Sequence, residues 1–215
     1  MRKTIQIKMK KIIFILAFFL SSCSPPDNTK KQDETTNTSI EVSGEIKRIS
    51  IGNKNAKITI IAYESLTCGY CANFHTNIYP QLKKEYIDTN KVIIEFRNFP
   101  LDAAALNASI IAHCKNDGSS EILNFLYSEQ GKWAKGKNIS EVNSNIENVL
   151  LDGNYQLDFK KCLNDKKLEN YVLEDRINGV KKFNIEATPT LIINGEKFEK
   201  SLNYKNIKKK LEKML

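Results

Sequence analysis

The chain of 215 residues lacks a membrane-length apolar run, an internal repeat, a second Cys-x-x-Cys and, once its first residues are set aside, a marked excess of charge. The apolar stretch Ile12 to Leu20 has nine residues, about half of what a bilayer-spanning helix needs. Without repeats there is no solenoid or propeller to consider. Neither Cys114 nor Cys162 belongs to a Cys-x-x-Cys, so a four-thiolate zinc site is not on offer. The formal charge of +8 comes from 33 basic and 25 acidic residues, and Arg2, Lys3, Lys8, Lys10 and Lys11 leave 28 against 25 for the remainder. With no aromatic residues interleaved among the lysines and no known motif, the reading excludes nucleic acid as a partner. The run Lys208-Lys209-Lys210 is taken as the solvated face of a terminal helix.

What is present starts at the N-terminus. A basic region followed by the short apolar core reads as a secretory signal. Leu20-Ser21-Ser22-Cys23 resembles the bacterial lipobox, which makes residues 1–22 a lipoprotein signal peptide and Cys23 the lipidated first residue of the mature chain. Several acyl chains on one residue anchor a protein firmly to a membrane. The alternative is an ordinary signal with an incidental cysteine. Residues 23–44 are polar, with Pro25-Pro26 and almost nothing apolar before Ile40, and are expected to be a flexible tether. Export places the rest where disulfides persist, so Cys68, Cys71, Cys114 and Cys162 form an even set.

The remaining residues, about 190, suit one domain with an insertion. Ile46, Ile49 and Ile51 predict a short edge strand, KITIIAY (57–63) a buried strand, and KVIIEF (91–96) another, parallel to it across a helix over 69–88. Pro80 should kink that helix. After Pro100 the spacing is helical for about eighty residues. TLII (190–193), the turn Asn194-Gly195, a return strand at 197–198 and a helix from Tyr204 close the chain.

Cys68-Gly69-Tyr70-Cys71 falls at the joint between strand and helix. A thiol there meets unpaired N–H groups and the positive end of the helix dipole, which lower its pKa. A second sulfur three residues on can close on the first within one turn. A purely structural disulfide is the competing reading.

The order β, β-α-β, helical block, β-β-α, with the dithiol after the second strand and Thr188-Pro189 before the third long one, resembles the thioredoxin family, and the helical block its DsbA-like branch. SLTCGYCANFH, VIIEFRNFPL, FKKCLND and GVKKFNIEATPTLIING carry the resemblance. It implies an α/β thioredoxin fold with an inserted all-helical domain: residues 45–100 as the first part, 101–181 as the insertion and 182–215 as the second part. It makes Cys68 the attacking sulfur and Cys71 the resolving one. It also makes Thr188–Pro189 a cis bond opposite the dithiol, leaving the Thr188 backbone to pair with an extended substrate; a trans proline that merely starts a strand is the alternative. Relatives carry a buried acid six residues before the first cysteine, where this chain has Ala62. Glu64 lies on the same strand face and either takes over proton transfer or is exposed at the strand end. Cys114 and Cys162, as in some relatives, either form a structural bridge or remain as buried free thiols. His75 is read as a solvent-facing helix residue, with tuning of the thiolate as the alternative; His113 is less informative, and Tyr63, Phe74 and Phe99 are core.

The expectation is therefore a membrane-tethered, monomeric thiol–disulfide oxidoreductase of the bacterial periplasm. It acts as a dithiol oxidase on reduced exported proteins, uses no cofactor, and is re-oxidised by a quinone-linked membrane protein. An isomerase or reductase on the same scaffold is the nearest rival, which Thr188 permits; isomerases of this branch oligomerise through N-terminal segments, and the tether here has no heptads. A holdase or metal-carrying lipoprotein is the reading from another class.

Overall fold

The structure, a computed structural model, describes residues 45–215. The signal peptide, Cys23 and the tether expected from the sequence lie outside the described residues.

Five strands form one mixed sheet in the order β1-β3-β2-β4-β5: Ser50–Ile51, Ile58–Glu64, Val92–Asn98, Thr190–Ile193 and Glu196–Lys197 are β1 to β5 in chain order. Strands β2 and β3 run parallel, from Ile58 opposite Val92 to Glu64 opposite Asn98, and every other pairing is antiparallel. The period of two puts Ile58, Ile60, Ala62 and Glu64 on one face, all buried. A tight turn at Asn194 and Gly195, with φ of 47° and 86°, joins β4 to β5; residue types that tolerate positive φ make such hairpins possible.

Helix α1 fills the β2–β3 crossover over residues 69–87. It is α-helical at Gly69–Asn73 and Tyr79–Leu82, with wide π turns at Phe74–Ile78 and Lys83–Ile87. The sequence predicts a kink at Pro80. There the chain widens the preceding turn, where the Tyr79 N–H reaches back five residues to the Phe74 carbonyl, which relieves the clash a proline ring makes with the turn before it. The helical block follows as α2 (Ala103–Ala112), α3 (Glu121–Ser128), α4 (Gln130–Trp133), α5 (Ile139–Asp152), α6 (Phe159–Leu163) and α7 (Lys166–Phe183), and α8 (Tyr204–Glu212) ends the chain.

One core cluster runs from Ile58, Ile60 and Ile94 of the sheet through Phe74 and Leu82 of α1 into Leu126, Trp133 and Ile146 of the helical block. Each such aliphatic side chain contributes about 1.5–3 kcal/mol on burial. On the other sheet face α7 lies close against Tyr63, with Gly179 leaving room for the ring. Asp175 of α7, 3% exposed, accepts from Arg48 Nη1 at 2.7 and 3.0 Å, from the Asn98 backbone N–H at 3.1 Å and from Asn98 Nδ2 at 3.0 Å. A buried carboxylate needs this many partners, and the network ties α7 to the sheet edge. Cys114 and Cys162 are disulfide-bonded, with Cα atoms 5.5 Å apart, joining the end of α2 to α6. Among the described residues no helix is long and apolar enough to cross a membrane.

Candidate functional site

Asp102, Asn138, Asp158, Asp165 and Asn203 each stand at a helix N-cap and accept from backbone N–H groups of the first turn. At α1 the N-cap residue is Cys68, and no side-chain oxygen takes that part. The sulfur stands where those oxygens stand. As a thiolate it accepts from the Cys71 thiol, the largest single influence, then from the Thr188 side chain and the backbone N–H groups of Cys71 and Tyr70. Together they outweigh partial burial and bring Cys68 down from 9.0 to about 5. As a thiol, Cys68 Sγ donates to the Thr188 carbonyl oxygen at 3.3 Å. On ionisation that contact loses its proton, and the buried Thr188 hydroxyl, which has no hydrogen-bond partner, becomes the donor.

Cys71 behaves in the opposite way. It is fully buried, and burial, the shared hydrogen bond with Cys68 and the charge of Glu64 all hold it protonated. Both thiols are free. The Thr188–Pro189 bond is cis, and it brings the Thr188 carbonyl to Cys68. Tyr70, 79% exposed, and Leu101, 50% exposed, are the large apolar side chains left open nearest in sequence to the dithiol and to the β3 exit. That exit is tied to the dithiol loop: the Leu101 N–H donates to Ser65 Oγ at 3.3 Å and Thr67 Oγ1 to Asp102 Oδ2 at 2.8 Å. Gln130 of α4 fixes the loop from the other side, its Nε2 donating to the carbonyls of Leu66 at 2.7 Å and Cys68 at 3.1 Å.

Glu64 is not exposed at the strand end; it is 4% exposed. Its Oε2 lies 2.7 Å from His75 Nε2, while Oε1 is buried without a partner. Burial raises its pKa, against the opposing pull of His75. The expectation of a solvent-facing His75 is wrong: it is 6% exposed, stacked on Tyr127 at 4.0 Å and 20°, with Nδ1 2.9 Å from Asn124 Oδ1. The Tyr127 hydroxyl is held protonated by burial first and then by the Glu64 carboxylate beside it. A signal for His75 was available, since it falls four residues after Cys71 on the stripe that continues to Ile78 and Leu82. No local pattern marks Asn124, Tyr127 or Gln130, which reach the site only through the tertiary fold.

The structure thus gathers Cys68, Cys71, Thr188, Pro189 and Glu64, and pairs Cys114 with Cys162 in the helical block. Among the described residues no cluster of three or more His, Cys, Asp or Glu could hold a metal.

The family model described as Thioredoxin matches residues 45–213. A Rickettsia bellii protein named "Putative protein-disulfide oxidoreductase" is 35% identical over 151 residues, which is 69% of this chain and 58% of that protein. A similarly named protein of Rickettsia prowazekii is 32% identical over 86% of this chain and 68% of its own length. The crystal structure of Wolbachia pipientis alpha-DsbA1 superposes with a TM-score of 0.70 at 29% identity, covering 78% of this chain and 90% of that one. With the dithiol at a helix start, the cis proline opposite it and the helices inserted after β3, the chain belongs to the thioredoxin family and has the fold of its DsbA-like members.

Proposed function

We propose that the chain is a protein thiol–disulfide oxidoreductase, and that its working direction is oxidation of substrate dithiols. The observation that carries this is the opposed ionisation of the two sulfurs: Cys68 drawn down to about 5 and Cys71 pushed up. A stabilised Cys68 thiolate favours the reduced pair, which makes the Cys68–Cys71 disulfide a stronger oxidant. A substrate thiolate attacks Cys68 Sγ; the intramolecular S–S bond breaks and its electron pair goes to Cys71, which takes up a proton. A second substrate thiolate then attacks the sulfur of the first, forming the substrate disulfide and releasing Cys68 as a thiolate. Thr188, its backbone presented by the cis bond, aligns the incoming strand. Glu64 carries the proton for Cys71. Two electrons remain on the enzyme and pass to a membrane partner that re-oxidises the pair.

The place of action is extracytoplasmic, with lipid on Cys23 holding a monomer at a membrane. The signal-like start and the lipobox resemblance support this. Equilibration with glutathione tests the direction: an oxidase should stand at about −120 mV, and a value at or below about −230 mV would assign the chain to reduction. Cys68→Ala should abolish both insulin reduction and oxidative refolding. Retained protection of unfolded chains without any thiol exchange would point to a holdase.

A further inference from the structure

We infer that His75, fixed in one tautomer by Asn124 of the helical block, shares a proton with Glu64 and so keeps that carboxyl ready to exchange a proton with Cys71. This rests on the oxidoreductase reading above, and adds to it a positioning residue that acts through Glu64.

The hydrogen bonds assign the ring. Asn124 Nδ2 donates to Ser120 Oγ at 3.0 Å, which leaves Asn124 Oδ1 facing His75 Nδ1 at 2.9 Å. An amide oxygen only accepts, so Nδ1 carries a proton and donates. At the other nitrogen, Nε2 and Glu64 Oε2 are 2.7 Å apart. A proton belongs on that axis, whether as imidazolium with carboxylate or as neutral imidazole with carboxylic acid. Without it, two acceptors would oppose each other in a dry interior, since the side chains are 2% and 4% exposed. The ring cannot turn away: Tyr127 stacks on one face, and Phe74 and Phe96 lie 5.7 and 4.9 Å from it between centroids. Glu64 Oε1, with no hydrogen-bond partner among the described residues, stays available for exchange, and the charge of Glu64 is felt at Cys71.

The titratable groups that face the pair are Cys68 and Cys71 at the start of α1, Tyr79 further along it and Tyr127 of α3. Arg97 of β3 and His113 after α2 line a cavity of about 10 Å³ that Glu64 and Tyr127 also line. The Tyr127 hydroxyl reaches towards both Glu64 and Cys71 but is held protonated by burial; the Glu64–His75 pair has a proton on a short axis, and the charge of Glu64 is felt at the resolving sulfur. When a substrate thiolate opens the disulfide, the electron pair goes to Cys71 Sγ and the Glu64 carboxyl gives that sulfur its proton. The pair is then one proton short and regains it from solvent. In the closing direction the pair first gives a proton to solvent, and Cys71 then passes its own to Glu64 as it attacks the mixed disulfide.

The closing step is the one to measure. Full-length protein is prepared as the mixed disulfide of Cys68 with glutathione, and glutathione release is followed by rapid acid quench from pH 5 to 9. In the wild type, release should depend weakly on pH near neutrality. His75→Gln, which can still hydrogen-bond Glu64 but cannot pass a proton, should slow release about 10-fold there and make it rise with hydroxide, while the alkylation midpoint of Cys68 stays in place. Glu64→Gln should lose at least as much. If Glu64→Gln is slow and His75→Gln follows the wild type at every pH, the role of His75 is refuted and the oxidoreductase reading stands. If the wild type exchanges no thiols, that reading fails first. Nitrogen NMR of the wild-type imidazole needs no variant: a proton on Nδ1, with an Nε2 signal that moves between oxidised and reduced protein, is expected. A neutral ring protonated only at Nε2 would overturn the assignment.

Discussion

Replacing Cys71 by Ala removes the hydrogen bond that does most to hold Cys68 as a thiolate. A hydrogen bond to a charged acceptor is worth about 1.5–3 kcal/mol, or about one to two units of pKa. Cys68 is partly exposed, so water replaces some of what is lost and the lower figure applies. The Cys68 midpoint should therefore climb from about 5 to about 6, in the range 6–7 at most. The assay matters, because reaction rate at pH 7 is a poor reporter. Against an ordinary thiol of pKa near 8.5, a midpoint near 5 raises the thiolate fraction at pH 7 about 30-fold, yet the lower basicity cuts intrinsic nucleophilicity by a similar factor. At pH 5.5 the fraction wins by about 20-fold. Exchange with a small disulfide from pH 4 to 9, alongside thiolate absorbance, reads the midpoint directly. A wild-type midpoint near 8.5, or a Cys71→Ala midpoint indistinguishable from wild type, would refute the account of the helix start.

His113 is buried and its pKa falls from 6.5 to about 4, mainly by burial. The unfolded chain takes up that proton first, so this contribution is intact above pH 6.5 and lost as pH falls towards 4, up to about 3 kcal/mol. Urea midpoints at pH 7 and 4.5 should diverge in the wild type more than in His113→Gln. A Cβ at Gly179 would lie 2.7 Å from Tyr63 Cε1, and Tyr63 is 2% exposed. Gly179→Ala should accordingly cost about 1–3 kcal/mol in thermal or denaturant unfolding. The Cys114–Cys162 bond spans 48 residues of sequence, and loop-closure entropy for that span is about 4 kcal/mol. The double Ser variant should lose up to this much stability in urea while keeping its thiol–disulfide exchange; a larger loss of exchange than of stability would contradict a structural role.

The dithiol and the loop before β4 were legible because their chemistry is local. Four residues at a strand–helix joint set the position of both sulfurs, and Thr188-Pro189 followed by TLII announces a strand presented across from them. The helical spacing after Pro100 was equally readable, and Ile139–Asp152 is one of the helices it announced, although its cap at Asn138 was not singled out. The support of the site was less legible because it is tertiary. Glu64 could be placed on the inward face by alternation, but its partner could not. His75 was misplaced because one residue's polarity outweighed a stripe that already included it. The wide turns of α1 were hidden too, since Pro80 predicts a break and says nothing of how the backbone absorbs it. Gln130 and Asn124 lie 62 and 49 residues from the backbone and side chain they hold, a separation no pattern bridges.

Gln130, Asn124 and Tyr127 all come from the block threaded between the two halves of the sheet, and each supports the dithiol or the groups behind it. A miniature cut down to the sheet, α1 and α8 would retain both sulfurs and the proline yet forfeit what steadies them. Transplanting the block onto a plain thioredoxin scaffold, with matching residues at its seam, is by the same logic a route to retuning that scaffold's redox character without touching its four-residue motif.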